Sequence, residues 1–296
     1  MSCQGLAVVI LTYNEELHLE RCINGVKYIA NQIIVIDSFS TDKTEEIAKK
    51  YGVKFVQNAF VNHAQQFNFV LDLLPREIKW VLRIDADEYL TPELQESINQ
   101  AVESSASFVG YTLKRRMTFG GKMIRYGGVF PIEILRLFRK GHGVCEVRWM
   151  DEHITVDGPV GKLKGELIDD NLKDLTWWIQ KHNLYSNREA VEVLKRRYVS
   201  TQIKSSLRGS AGLKRYLKEH VYSKLPVLPK VSVYFLYRYV FRWGFLDGSE
   251  GFAFHFLQGF WYRYLVEAKV QEVERIMKIR QVDFHDAVQH VLQIKL

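Results

Sequence analysis

Apolar and polar positions follow two rhythms over the first hundred residues. Leu6-Ala-Val-Val-Ile-Leu11 is an uninterrupted apolar run of strand length, as in a strand buried on both faces. A 3.6-residue rhythm follows from about Glu15 to Val26, with Leu17, Leu19, Cys22, Ile23 and Val26 on one side. Gln32–Ile36 predicts a second strand, ending at Asp37. Ser40 and Thr41 can cap a helix starting near Asp42, with Glu45 placed for a capping box. Val53–Val56 predicts a third strand, His63–Leu74 a helix, and Lys79–Ile84 a fourth strand ending at Asp85. Thr91-Pro92 opens another helix, since proline is favoured in the first turn.

Repeated strand–helix units of this length imply an α/β fold, with parallel strands and right-handed crossovers. In such sheets the ligand lies beyond the carboxyl ends of the strands. The polar residues at those ends are Thr12-Tyr13-Asn14-Glu15, Asp37-Ser38 and Asp85-Ala86-Asp87-Glu88, and all three clusters should converge on one crevice. After Ser107 the pattern changes. Phe108–Phe119, Lys122–Tyr126 and Ile134–Phe138 read as β-type segments, separated by Gly120-Gly121 and Gly127-Gly128. A long helical rhythm then runs from about Leu172 to Tyr198. The expected division is a catalytic domain over 1–165 and a helical, basic and aromatic region over 166–296.

Composition narrows this picture. The chain of 296 residues is 47% apolar and 25% charged, which excludes wholesale disorder. Its three cysteines, Cys3, Cys22 and Cys145, share no metal-type spacing, so neither a zinc ribbon nor a disulfide framework is expected. No leader pattern is visible at the N-terminus, and a cytoplasmic location is expected. Charge is uneven: Lys181 to Arg242 holds fourteen Lys/Arg against three Asp/Glu, so +11, leaving −4 for the rest of a chain at +7. Nucleic acid, anionic lipid or phosphorylated substrates all suit such a basic stretch.

Asp85 and Asp87 stand two apart after a buried strand, and point the same way if the strand continues, where they can share one hard cation. Taken alone, Asp-x-Asp is more often a solvated turn; its place after a hydrophobic strand, beside the other two clusters, favours the metal. Asp37 reads either as a turn residue or as a carboxylate meeting a base or ribose. Thr12, Tyr13 and Asn14 offer a hydroxyl, an aromatic face and an amide to the same nucleotide. No Gly-x-Gly-x-x-Gly follows the first strand and no Gly-Lys-Ser/Thr loop occurs, which disfavours a dinucleotide oxidoreductase or a P-loop NTPase.

Val9-Ile-Leu-Thr-Tyr-Asn-Glu15, Ile34-Val-Ile-Asp-Ser-Phe-Ser-Thr-Asp-Lys-Thr44 and Leu82-Arg-Ile-Asp-Ala-Asp-Glu88 resemble glycosyltransferase family 2 in motif, order and spacing, over roughly residues 5–165. The stretch through Asp151-Glu152-His153 further resembles members that build bacterial lipopolysaccharide cores and exopolysaccharides. The resemblance implies a GT-A (Rossmann-like) fold, a nucleotide-diphosphate sugar donor and inversion at the anomeric carbon. It places Thr12, Tyr13, Asn14 and Asp37 at the nucleotide, and Gln65 and Asn68 at the donor. Asp85 takes the place of the ribose- or metal-facing acid, and Asp87 that of the ligand to manganese or magnesium. Asp151-Glu152 falls where the family keeps its catalytic base, in the reverse of the common Glu-Asp order, and Glu152 is the expected base. Two other classes stand beside this one. A sugar-nucleotide nucleotidyltransferase normally shows a Gly-rich phosphate loop, which is missing here. A catalytically silent membrane-surface assembly protein has no need of these acids.

Val231–Phe245 is dense in aromatic residues with interleaved arginine. The longest strongly apolar run without formal charge, Gly251–Tyr262, has 12 residues, whereas a spanning helix needs about 20. No transmembrane segment is expected. Two readings of this region stand: an interfacial segment on an anionic bilayer, or a helical appendage with aromatic core and solvated Lys195-Arg-Arg197. A lipid-linked acceptor, implied by the resemblance, places the chain at the inner face of the cytoplasmic membrane. Single-strand nucleic-acid binding also uses aromatic and basic residues, but no such module is present, and no nucleic-acid partner is expected.

Overall fold

In the computed structural model, residues 5–104, 106–146, 153–198, 226–294 and 296 are described. The chain divides into two compact units. The first comprises residues 1–125 and 129–173, the second residues 126–128 and 174–296.

The first unit is built on a sheet of strands β1 (Leu6–Thr12), β2 (Gln32–Asp37), β3 (Lys54–Gln57), β4 (Trp80–Asp85), β5 (Glu88–Leu90), β6 (Gly110–Phe119), β8 (Ile132–Arg139) and β11 (Val160–Asp169). Their order is β3-β2-β1-β4-β8-β6-β11-β5, and the short β7 (Lys122–Met123) pairs with β6. As expected, β3, β2, β1 and β4 are parallel. Beyond β4 the sheet is mixed: β8 is antiparallel to both β4 and β6, and β11 returns parallel to β6. Gly120 and Gly121, both with positive φ, make the two-residue β6–β7 turn that only such backbones close without strain.

Every residue of β1 is buried, because the sheet is covered on both faces. Leu6, Val8 and Ile10 pack with α1 (Leu19–Val26) and α4 (Pro92–Glu103). The alternate residues Ala7, Val9 and Leu11 pack with α3 (His63–Asp72). The helix α2 (Thr44–Lys50) begins later than expected, at N-cap Lys43 with no side-chain cap, while Asp42 just before it accepts from Thr44 N–H at 3.0 Å. Ser40 and Thr41 do not cap it, since both bond to the loop after β1. A two-stranded ribbon, β9 (Gly143–Cys145) with β10 (Ile154–Val156), completes the unit.

The second unit is helical. Its core joins Ala190, Val191 and Leu194 of α5 (Leu175–Tyr198) to Val266, Val270 and Val273 of α8 (Tyr262–Arg280) and to Phe284, Ala287 and Val288 of α9 (Phe284–Leu292). Between α5 and α8 lie α6 (Val227–Leu236), a π-helical turn at Tyr237–Phe241, a 3-10 turn at Gly244–Asp247, α7 (Gly248–Phe254) and a second π-helical turn at His255–Trp261. No helix among the described residues is long and apolar enough to cross a membrane.

Candidate active site

Strand register brings the three predicted clusters together. Thr12 lies beside Asp37 across β1–β2, and Leu11 beside Asp85 across β1–β4, so all three clusters leave the same carboxyl edge. The loops after β1 and β2 are stitched to each other. Asn14 takes a positive φ, which asparagine tolerates better than most residues. Its N–H donates to Ser40 Oγ at 2.7 Å, and its Oδ1 accepts from Thr41 N–H at 2.8 Å.

Asp37 is the knot beneath these loops. It is fully buried, and its carboxylate accepts from Thr12 Oγ1 at 3.0 Å, Ser40 N–H at 2.8 Å and Gln57 Nε2 at 3.4 Å. A buried carboxylate must be hydrogen-bonded, and here the protein supplies the partners. Exposed at the same edge are Tyr13 and Phe39, at 59% and 55%. Phe39 went unnoticed in the sequence; it too has a positive φ, a backbone state that costs an aromatic residue energy and is concentrated at functional sites.

The two acids of Asp-Ala-Asp do not act as a matched pair. Strand β4 ends at Asp85 and the chain turns through Ala86-Asp87, so the premise of a continuing strand fails. Asp85 faces Arg136 Nη2 at 3.1 Å and Arg83 Nη2 at 3.6 Å. Partial burial works against its charge, the side chain being 37% exposed, but the Arg136 and Arg83 guanidinium groups hold its carboxyl below the usual range. Asp87 instead accepts from the Asn171 side-chain amide at 2.9 Å. Glu88, 1% exposed, braces the turn: its Oε2 accepts Asp85 N–H at 2.9 Å, and its Oε1 meets Arg136 at 3.1 Å. Burial pushes the Glu88 carboxyl up to about 7, against the pull of Arg136.

This division tests the fit to a divalent cation. The charge of Asp85 is already met by two arginines, whereas the partner of Asp87 is a neutral amide, which leaves its negative charge for a cation. Asp87 therefore fits a metal ligand and Asp85 does not. Among the described residues no cluster of three His, Cys, Asp or Glu is arranged around a metal. A magnesium-type ion held by Asp87 would take its other ligands from phosphate oxygens and water.

A strap after β11 joins the two ends of the site. Asp170 N–H donates to Asp87 O at 3.1 Å, and Arg21 Nη1 meets Asp170 Oδ2 at 2.6 Å. Lys173 Nζ donates to Asn14 O at 2.7 Å and to Glu15 Oε1 at 3.0 Å. Leu172 N–H donates to His18 Nε2 at 2.8 Å, so Nδ1 carries the proton shared with Glu15 Oε2 at 2.6 Å. Sequence reading missed this strap; its only local signal is the polar run Asp169-Asp-Asn-Leu-Lys-Asp174 after an apolar strand. Lys173→Met removes a largely buried cation from Glu15 and is expected to cost about 1.5–3 kcal/mol in urea unfolding. It is also expected to raise the KM for donor more than it lowers kcat.

Gln65 has an exposed side chain on α3, while its neighbour Gln66 is buried and donates to Ser38 Oγ at 3.0 Å. Asn68 uses its amide on the backbone of Cys145, donating to the carbonyl at 2.9 Å and accepting the N–H at 3.0 Å. It thereby pins the β9–β10 ribbon to α3. Asp151 and Glu152 lie in the connection of that ribbon, outside the described residues; His153 at its end is exposed.

The parallel run β3-β2-β1-β4, with acids gathered at its carboxyl edge, is the α/β arrangement in which a nucleotide lies beyond the strand ends. Residues 7–149 match the family model for glycosyl transferase family 2. The chain is 28% identical over 293 residues to the lipopolysaccharide core biosynthesis glycosyltransferase LpsC of Rhizobium meliloti, covering 96% of this chain and 98% of the relative. It is 39% identical over 111 residues to an uncharacterized glycosyltransferase of Rickettsia bellii, a stretch that is 37% of each chain. Among solved structures, glucosyl-3-phosphoglycerate synthase of Mycobacterium tuberculosis, in complex with Mn2+ and UDP-glucose, is 21% identical at a TM-score of 0.34. That match covers 38% of this chain and 44% of the other.

Proposed function

We propose that the chain transfers a sugar, with inversion, from a nucleotide-diphosphate sugar to a glycan or lipid-linked acceptor of a bacterial lipopolysaccharide core or exopolysaccharide. The observation that carries this reading is the convergence of Thr12, Asp37, Asp85 and Asp87 on the carboxyl edge of β2-β1-β4. The near full-length similarity to the lipopolysaccharide core enzyme supports the acceptor class. The acceptor's lipid places the work at the inner face of the cytoplasmic membrane.

Each residue then has a task. Tyr13 and Phe39 offer exposed rings to a nucleobase, which stacks on such faces. Asn14, locked to Ser40 and Thr41, keeps that loop in one shape. Asp85, oriented by Arg136, presents its remaining acceptor capacity to ribose hydroxyls. Asp87 would hold manganese or magnesium, which supplies Lewis-acid stabilisation of the departing diphosphate. Glu152, with Asp151 beside it, takes the proton from the acceptor hydroxyl.

Donor turnover, measured across a panel of sugar nucleotides with and without manganese, tests the reading. Glu152→Gln is expected to lower acceptor-dependent transfer about 10²–10⁴-fold, with donor binding retained in a nucleotide thermal-shift assay. Unchanged transfer by that variant, or no sugar-nucleotide turnover by the wild type, overturns the proposal.

A further inference from the structure

The second unit exposes apolar surface that its own core does not use. Phe241 is 74% exposed and Trp243 61%, with Tyr237, Phe245 and Leu246 about half exposed beside them in sequence. The rings continue into a ladder. Phe245 stands edge-on to Tyr239 at 6.4 Å, and Tyr239 edge-on to Phe252 at 5.6 Å. Phe252 in turn stacks on Phe256 at 6.0 Å. Contiguous exposed apolar surface of this kind marks a binding face, whereas single exposed rings do not.

The tip is held in shape by buried polar groups rather than left loose. Gly127 N–H donates to Arg242 O at 2.8 Å, and the buried Arg238 donates from Nε to Gly127 O at 3.1 Å. The buried Asp247 accepts Tyr126 N–H at 3.0 Å. Gly127 must be glycine: its φ is +70°, and a Cβ there comes within 2.1 Å of the buried His255 ring. Trp243 itself sits at φ +59°, a conformation rarely granted to a tryptophan. The π-helical turns on either side are local departures of the kind found at functional positions. Strain and buried hydrogen bonds are thus spent on keeping the rings outside.

Charge selects the occupant. Residues 226–246 contain no Asp or Glu; of their cations Arg238 is buried and Lys230 pairs with Glu267, which leaves Arg242 exposed at the tip, and the preceding residues 199–225 carry six Lys/Arg against one Glu. A second copy of this face brings like charge against like. An anionic lipid surface is complementary to it, and tryptophan and tyrosine favour the headgroup level of a bilayer.

We propose that the 237–246 tip and its ring ladder form a rigid seat for an anionic bilayer, with Phe241, Trp243 and Phe245 entering the headgroup–acyl boundary as an in-plane anchor. This seat rests on the membrane-face acceptor of the reading above, but its test is separate from the transfer chemistry. The full chain is sedimented with phosphatidylcholine vesicles with and without phosphatidylglycerol. The wild type is expected to bind the anionic vesicles, and at least about tenfold more weakly both to phosphatidylcholine alone and as the F241S/W243S/F245S variant. Sugar-nucleotide hydrolysis in vesicle-free buffer reports on the first unit, and the variant should match the wild type there. Absence of wild-type vesicle binding, or equal binding by the folded variant, overturns the seat whatever the donor assay shows. A wild-type oligomer that the variant dissolves, with no vesicle binding by either, overturns it in favour of self-association.

Discussion

Asp87→Asn is expected to lower sugar-nucleotide turnover about 10²–10³-fold, the usual consequence of removing one preorganised group that stabilises a departing anion. The substitution isolates charge. Asparagine at 87 keeps an oxygen to accept from Asn171, the one hydrogen bond described for the Asp87 side chain, so thermal stability should hardly change. Asp85→Asn should show the opposite signature. It leaves Arg136 and Arg83 short of a counter-charge, so the melting temperature falls along with activity. Turnover and melting curves on the two variants make the comparison. Equal loss of turnover with equal loss of stability contradicts the division of labour between the two acids.

The largest stability effect is expected at Arg136. Its guanidinium, 9% exposed, bridges Asp85 and Glu88 at 3.1 Å each, and Glu88 is 1% exposed. Truncation in Arg136→Met removes this bridge, leaving Glu88 to Arg115 Nε at 3.7 Å and Asp85 to Arg83, and should cost about 3–5 kcal/mol in urea unfolding. Glu88→Gln in the same chain removes the buried acid left without Arg136 and should recover part of that loss. A double-mutant cycle with no coupling between these positions shows that the clamp carries no energy. Because Glu88 accepts the Asp85 backbone N–H, Arg136→Met should also loosen the turn that places Asp87 and depress turnover.

The crevice was legible in residue order wherever a strand hands directly to a polar cluster. An apolar run buried on both faces announces a central parallel strand, and the rule that ligands gather at carboxyl edges does the rest. That is why Thr12, Asp37 and Asp85 could be brought side by side before any coordinates. The side-chain tasks were less legible. Asp37, expected at a base or ribose, is consumed by Thr12, Ser40 and Gln57. Asn68, expected at the donor, bonds the Cys145 backbone through both ends of its amide. Neighbour identity decides whether a polar group faces ligand or scaffold, and those neighbours are 3 to 77 residues away.

Local patterning therefore settled the class of sheet, the strands that carry acids and the absence of a phosphate loop, because each depends on contiguous residues and their rhythm. Folding alone decided that Asp85 and Asp87 part company, that Arg136 clamps the turn from β8, and that Asn171 and Lys173 strap two loops together across some 84 and 159 positions. Those are pairings between charges distant in the chain, and electrostatic energy follows distance in space rather than order in sequence.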